Sequence, residues 1–412
     1  MTEVYIVGLE MTPFGKFPDL SVKDLAVQAS TGAFDDAGTD IGGIGAIYFG
    51  NTSQGALEGQ FMVRGEMALR RMGLNGIPVV NVENARATAS TAFHQAVNHV
   101  RAGVSDVALA VGAEKMYFDD KEKVFSIFDG AWDVHNREGT YNLLRDLTAD
   151  CVLPDEALSA QVNQKSLFMD VYAFLSRYHM DKFGTSQRQM AAVASKNHFH
   201  ASLNPLSQFR NDMSIDDVLS ARLISWPLTR PMCAPISDGA AAAVVCSKEA
   251  LSRFDARRAI KVHACELGTG RDRDPALFDQ HVSRLTSLRA YDKAGVGPED
   301  MSVAEMHDAS VFAEIQHTEN LGFCDFGDGG PLVESGATRL GGRIPVNPSG
   351  GLESKGHPIG ATGLAKIYEL GAQVRGEAGP RQVEGVKFAI AENGGGFHGV
   401  EEAAVCITIL GK

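Results

Sequence analysis

Positive charge is in short supply in this chain: 38 lysines and arginines stand against 51 aspartates and glutamates, a formal net charge of −13. That balance argues against nucleic acid or an anionic membrane as a general partner, while leaving room for a local basic patch around a phosphorylated cofactor. No uncharged apolar run approaches the roughly 20 residues a membrane-spanning helix needs. Met1-Thr-Glu-Val-Tyr-Ile-Val enters an apolar run with no basic segment or cleavage site, so no secretory signal is expected. The six cysteines (151, 233, 246, 265, 324 and 406) form no CxxC pair and no zinc spacing. These absences point to a cytoplasmic protein with reduced thiols and no metal site in this chain.

What is present is a chain of 412 residues, 44% hydrophobic, long enough for a large core and for two or three domains. Short apolar runs bounded by glycine alternate with longer helical patterns, the mark of an α/β architecture. Strands are expected at Val4–Leu9, Ile44–Gly50, Ile77–Val82, Asp106–Gly112 and Ala240–Cys246, with helices over Val22–Ala37 and Ala89–Arg101. The plan then repeats: strands at Ala259–Leu267, Met301–Met306, Val386–Ala391 and Ala403–Leu410, and a small-residue helix over Gly360–Gly371. The expected division is residues 1–250 and 259–412, with Val107–Gly112 and Phe388–Ala391 as equivalents. Between Tyr117 and Leu206 the strand rhythm stops and aromatics gather, among them Phe118, Phe125, Phe128, Trp132, Tyr141, Phe168, Tyr172, Phe174 and Tyr178. This stretch reads equally as a helical insertion over a binding site or as an added packing layer.

Four segments carry chemistry. Asn81-Val-Glu-Asn-Ala-Arg86-Ala-Thr-Ala-Ser90 is a strand turning into a helix, a place where orphan N–H groups and the macrodipole favour an anion. Glu305-Met-His307-Asp-Ala309-Ser follows a strand. Asn347-Pro-Ser349-Gly350-Gly351-Leu-Glu-Ser-Lys-Gly-His357-Pro-Ile-Gly-Ala-Thr-Gly363 combines close-approach glycines with a histidine at an expected helix start. Ala391-Glu392-Asn-Gly-Gly-Gly places a carboxylate at a glycine-rich turn. A lone histidine is more often structural, and a loop glutamate is usually a solvated surface group.

These segments resemble the thiolase superfamily along nearly the whole chain, most closely its sterol-carrier-protein type. Gly-His-Pro-Ile-Gly-Ala-Thr-Gly is a specific signature of that family. Ala194–Arg210 and Pro231–Ala240 resemble the same subtype. The resemblance implies a duplicated αβαβα five-layer fold with an inserted loop domain, coenzyme A thioesters as substrates, and a homodimer. It also implies two cysteines that this chain lacks: a nucleophile where Arg86 stands, and an acid/base where Ala309 stands. Arginine is neither acyl carrier nor base. Cys233 and Cys324 fall where the family has unreactive cysteines.

What the resemblance leaves in place is the machinery for a thioester enolate, with His307 and His357 as donors to an oxyanion. Glu392 is the candidate general base, its pKa rising if the site is dry and falling if Arg86 pairs with it. Arg86 is the candidate anchor for a polar substrate group, and Ser349, Gly350 and Gly351 are expected to line the coenzyme A tunnel. Thiolysis requires a covalent carrier; retro-aldol cleavage of a β-hydroxyacyl-CoA does not. The expected activity is therefore that of an acyl-CoA C–C lyase (aldolase) in lipid or steroid side-chain degradation. Thiolase-like steroid aldolases imply, in addition, a small OB-fold, zinc-ribbon partner subunit. The alternatives are an acyltransferase with an atypical site and a non-catalytic acyl-CoA- or lipid-binding subunit.

Overall fold

A strand buried on both faces reads as an unbroken apolar run, and Gly239–Ser247 (β7) is buried at every position. The computed structural model describes residues 2–154 and 167–412; the side chain of Phe168, one of the expected aromatics, lies outside the described residues. The other strands are β1 (Val4–Met11), β2 (Ala46–Gly50), β3 (Val79–Val82), β4 (Val107–Glu114), β5 (Leu223–Ser225), β6 (Leu228–Thr229), β8 (Ile260–Thr269), β9 (Met301–Glu305), β10 (Phe388–Gly395) and β11 (Ala404–Gly411).

Nine of them pair in the order β3-β2-β4-β7-β1-β8-β11-β10-β9, a sequence of partners that reads the same way inward from both ends. β2 is parallel to β4, and β7 runs antiparallel to both β4 and β1. Likewise β9 is parallel to β10, and β11 runs antiparallel to both β10 and β8. Even the outermost strand has its counterpart: β3 is parallel to β2, and Val346 makes a parallel bridge to Ala304 of β9. The two sets join through Tyr5↔Lys261 and Ile6↔Ile260 alone. Val107–Glu114 and Phe388–Gly395 thus occupy corresponding places, as expected.

Side-chain alternation along the strands builds the layers. On β4 and β7, Val107, Leu109, Val111, Ala240, Ala242 and Val244 pack outward on the Val22–Ala37 helix. Ala108, Ala110, Ala241, Ala243 and Val245 face inward, towards the helices Thr88–Arg101 and Thr362–Arg375. β11 divides the same way, with Val405, Ile407 and Ile409 outward beside the Val282–Ala294 helix, and Cys406 and Leu410 inward. The result is helix, sheet, paired central helices, sheet, helix. The central pair carries the largest apolar faces; Phe93 is fully buried, and Phe93→Ala is expected to cost about 3–5 kcal/mol.

The Val22–Ala37 helix begins where Ser21 and Asp24 form a capping box and stops at Gly38 in the left-handed region. Between β4 and β5 the described chain is helical or irregular. Tyr172, Phe174, Met190 and Val193 there pack on Val311, Phe312 and Ile315 of the second half. The aromatic insertion divides between both readings, because Phe125 and Phe128 line a cavity while Tyr172 and Phe174 fill core. Among the described residues no helix is long and apolar enough to cross a membrane.

Candidate active site

Two strand-to-helix connections in corresponding positions meet at one cavity. In the first half the chain leaves β3, turns at Ala85 with φ +49°, and enters the Thr88–Arg101 helix. Hydrogen bonds pin this turn: Asn84 N to Thr88 Oγ1 at 2.8 Å, Thr52 Oγ1 to Ala85 O at 3.0 Å, and Asn84 Nδ2 to Thr91 Oγ1 at 3.0 Å. Arg86 therefore projects from a fixed backbone. The second half presses against it at Gly395, where a Cβ would lie 2.5 Å from Ala87 N. In the second half the chain leaves Val346 and runs through His357 to the Thr362–Arg375 helix.

The cavity has a volume of about 630 Å³. Arg86, Met116, Ala309, Glu353 and His357 are its buried floor. Phe128, Met169, Met213 and Ile224 make apolar walls, and Lys16, Lys121, Arg222 and Arg230 are exposed around the mouth. A chain with net charge −13 thus gathers four exposed cations at one opening.

The histidines lie together, His307 and His357 meeting edge to face with ring centroids 5.1 Å apart. His357 is not at a helix start as expected. It lies in extended chain bridged to Ile236, five residues ahead of the helix, and the first helical residue, Thr362, holds its Nδ1 at 2.9 Å. The Thr362 hydroxyl donates to Pro358 O at 3.0 Å, so it accepts from His357 Nδ1–H and leaves the Nε2 lone pair available. His307 is set the other way. With the Asn393 amide oxygen assigned to Ser90 Oγ (2.6 Å), its nitrogen donates to His307 Nδ1 at 2.8 Å, and the ring proton stands on Nε2. Neither Nε2 has a hydrogen-bonding partner. Burial first, then the cations Lys366 and Arg86, holds both imidazoles well below the usual histidine pKa, so both are neutral at physiological pH. Burial also draws Arg86 down, to about 10, which leaves it charged. Its guanidinium stands 5.8 Å over the Phe397 ring.

Glu392 is not where a base acting directly on substrate would be, which corrects the expectation from sequence. It is fully buried and does not line the cavity. The alternation of β10 explains this: Ala389 and Ala391 face the central helices and Ile390 faces away, so Glu392 faces away and Asn393 inward. Glu392 Oε2 accepts the His307 backbone N–H at 2.9 Å and lies 3.7 Å from His317 Nε2. Burial raises its pKa, and His317 and Lys366 work against that rise.

Ser349, Gly350 and Gly351 also stand behind the cavity wall rather than lining it. Ser349 Oγ donates to Glu305 at 2.8 Å and accepts from Lys355 at 2.7 Å. Gly350 and Gly351 have φ +113° and +63°, and a Cβ would strike Ala201 at the first and Asp308 at the second. Their glycines serve packing.

Unanticipated from sequence is Glu353, whose pKa burial and neighbouring Asp308 raise well above the carboxylate range. Asn197 Nδ2 donates to Glu353 (2.8 Å), Asp308 (3.1 Å) and Glu314 (2.9 Å), and Lys196 pairs with Glu314 at 2.8 Å. The lone glutamate inside a glycine-rich signature was the available signal. Of the cysteines only Cys233 lines the cavity, and burial pushes it up to about 12, as it does Cys324. Among the described residues, His94, Cys265 and Cys406 have ligand atoms close enough to share a metal, but none of them lines the cavity.

Residues 4–218 match the thiolase N-terminal domain and residues 272–410 the thiolase C-terminal domain-like family. The chain belongs to the thiolase family. It is 34% identical over 408 residues to an acetyl-CoA acetyltransferase of Methanothermobacter thermautotrophicus, covering 97% of this chain and 98% of that one. To human sterol carrier protein 2 it is 34% identical over 406 residues, 95% of this chain and 70% of the relative, in keeping with the sterol-carrier type. Among solved structures, the Ltp2-ChsH2(DUF35) aldolase superposes with a TM-score of 0.77 at 22% identity, over 99% of this chain and 97% of that one. The fold is that of a thiolase, and the family acts on acyl-CoA thioesters.

Proposed function

We propose that this thiolase-family protein cleaves a β-hydroxyacyl-CoA by retro-aldol chemistry, with no acyl-enzyme, in lipid or steroid side-chain degradation. The observation that carries this reading is the cavity floor. Arg86 and Ala309 stand where the family resemblance implies sulfur, and the one cysteine on the cavity, Cys233, is held as a thiol. Two neutral histidines with free Nε2 atoms remain, one set as a donor and one as an acceptor.

In the proposed cycle the four mouth cations take the phosphates of coenzyme A. His357 Nε2 removes the β-hydroxyl proton; the Cα–Cβ bond breaks to give an aldehyde or ketone and a thioester enolate. His307 Nε2–H holds the enolate oxygen, and the proton on His357 returns to Cα, releasing the shortened acyl-CoA. No proton or electron is left over. Glu392 and Asn393 act on His307, the first through its backbone and the second through its ring.

Partners belong to the same proposal. The β3 edge is open; Val80 on it and Phe61 and Met62 ahead of it are exposed, a surface suited to a second copy of the chain. The aldolase neighbour, whose title joins Ltp2 to ChsH2(DUF35), supports the expectation of a small OB-fold, zinc-ribbon subunit. Six free cysteines suit a reducing, cytoplasmic setting.

The experiment is product analysis on β-hydroxyacyl-CoA candidates, with and without free coenzyme A. A carbonyl compound and a shortened acyl-CoA in equal amounts, independent of added coenzyme A, is the expected result. Two thioesters formed only with added coenzyme A would mean an acyltransferase, and saturable binding without turnover a non-catalytic subunit.

A further inference from the structure

We propose that the acyl group carries a carboxylate, bound by Arg86 on the cavity floor. This rests on the acyl-CoA reading above and names the substrate class more narrowly.

The argument begins with where charge is placed. The mouth cations Lys16, Lys121, Arg222 and Arg230 are exposed, so water and salt screen them. Arg86 is only 4% exposed and lines the same cavity at its other end. Keeping a guanidinium out of water is costly, and the chain keeps it charged there. The other titratable groups of the floor are neutral: His357 by burial and nearby cations, Glu353 because burial and Asp308 hold its proton. Glu392 lies behind the wall. The floor therefore presents net positive charge to whatever lies deepest in the cavity.

The enolate oxygen formed during cleavage does not account for that charge, since the His307 Nε2–H already awaits it. Nor do the phosphates of coenzyme A, for which the mouth cations are placed. A planar guanidinium matches a carboxylate with two parallel N–H···O bonds, and does so best where water is excluded. Phe128, Met169 and Ile224 between mouth and floor fit an apolar body joining thioester to carboxylate.

Calorimetric titration with glutaryl-CoA, valeryl-CoA and coenzyme A tests this without any turnover, the two thioesters having equal chain length. Glutaryl-CoA is expected to bind roughly 10–100-fold more tightly than valeryl-CoA, the range of a hydrogen bond to a charged group. In Arg86→Met the ratio should fall to near one while coenzyme A binds as before, which also reports an intact fold. Arg86→Lys should keep part of the preference. Equal affinities in the natural protein would overturn the proposal, and so would a preference that survives in Arg86→Met. Failure of every coenzyme A species to bind would overturn the acyl-CoA reading and this proposal with it; binding without preference would overturn this one alone.

Discussion

Glu114 and Glu392 lie on equivalent strands of the two halves, β4 and β10, and both are fully buried. Their surroundings differ. Glu114 accepts from Asn51 Nδ2 at 2.9 Å, from the backbone N–H of Thr52 and Ser53 at 3.0 Å each, and from the Ser53 hydroxyl. Glu392 accepts from one backbone N–H, leaves Oε1 without a hydrogen-bonding partner, and neighbours His317. One copy of the plan has closed its carboxylate into structure. The other keeps polar atoms unsatisfied beside the histidines, a cost tolerated where function needs it. The first half's share of the site is instead the Arg86 turn.

The largest expected effect comes from the second half. His357→Ala should lower kcat for C–C cleavage by about 10²–10⁴ while coenzyme A binding persists, the range for a positioned base. A fall under tenfold in steady-state assays would move the base elsewhere. Arg86→Cys, which restores sulfur at the first-half turn, should raise KM and produce no thiolysis; recovered thiolase activity would make Arg86 a mere placeholder. Stability should invert the contrast. Glu114→Ala strands several buried donors and is expected to cost about 2–4 kcal/mol in denaturant titrations, against about 1 kcal/mol for Glu392→Ala, which strands one. Equal losses would erase the distinction between the halves.

The pH response sharpens it further. Burial pushes Glu114 up to about 7 from its ordinary 4.5. The folded state then holds this proton more tightly than the unfolded state, so its contribution is intact below about 4.5 and is lost as pH rises to about 7. The loss amounts to about 3 kcal/mol at most. Glu114→Gln should flatten that fall between pH 5 and 8, and an unchanged slope would place it on another group. The smallest effect is expected for Glu392→Gln, which keeps the acceptor for His307 N–H: kcat should drop less than tenfold. A severe drop would return Glu392 to the role of base.

Much of this was legible in the sequence because apolar periodicity is local. The Val22–Ala37 helix has the expected bounds, and the strand pairs on either side of β1 and β8 follow from runs such as Ala240–Cys246. The direction of Glu392 was legible too, since alternation through Ala389-Ile390-Ala391 assigns it to the outer face, but the glycines after it read as a loop in which parity has no meaning. The partners of Glu353 were not legible. Asn197, Asp308, Glu314 and Asn347 come from four segments, and only folding shows that two amides and one lysine serve three carboxyls. Ser349, Gly350 and Gly351 show the converse, a signature whose glycines answer to tight packing on Ala201 and Asp308 rather than to ligand.

The central claim is that the cavity works on thioesters with no covalent carrier. Intact-protein mass spectrometry on samples quenched during incubation with acetyl-CoA and with a β-ketoacyl-CoA tests it most directly. The account predicts an unmodified mass throughout, in the natural protein and in Cys233→Ser alike. An acyl adduct that maps to Cys233, or to any other cysteine, would contradict it.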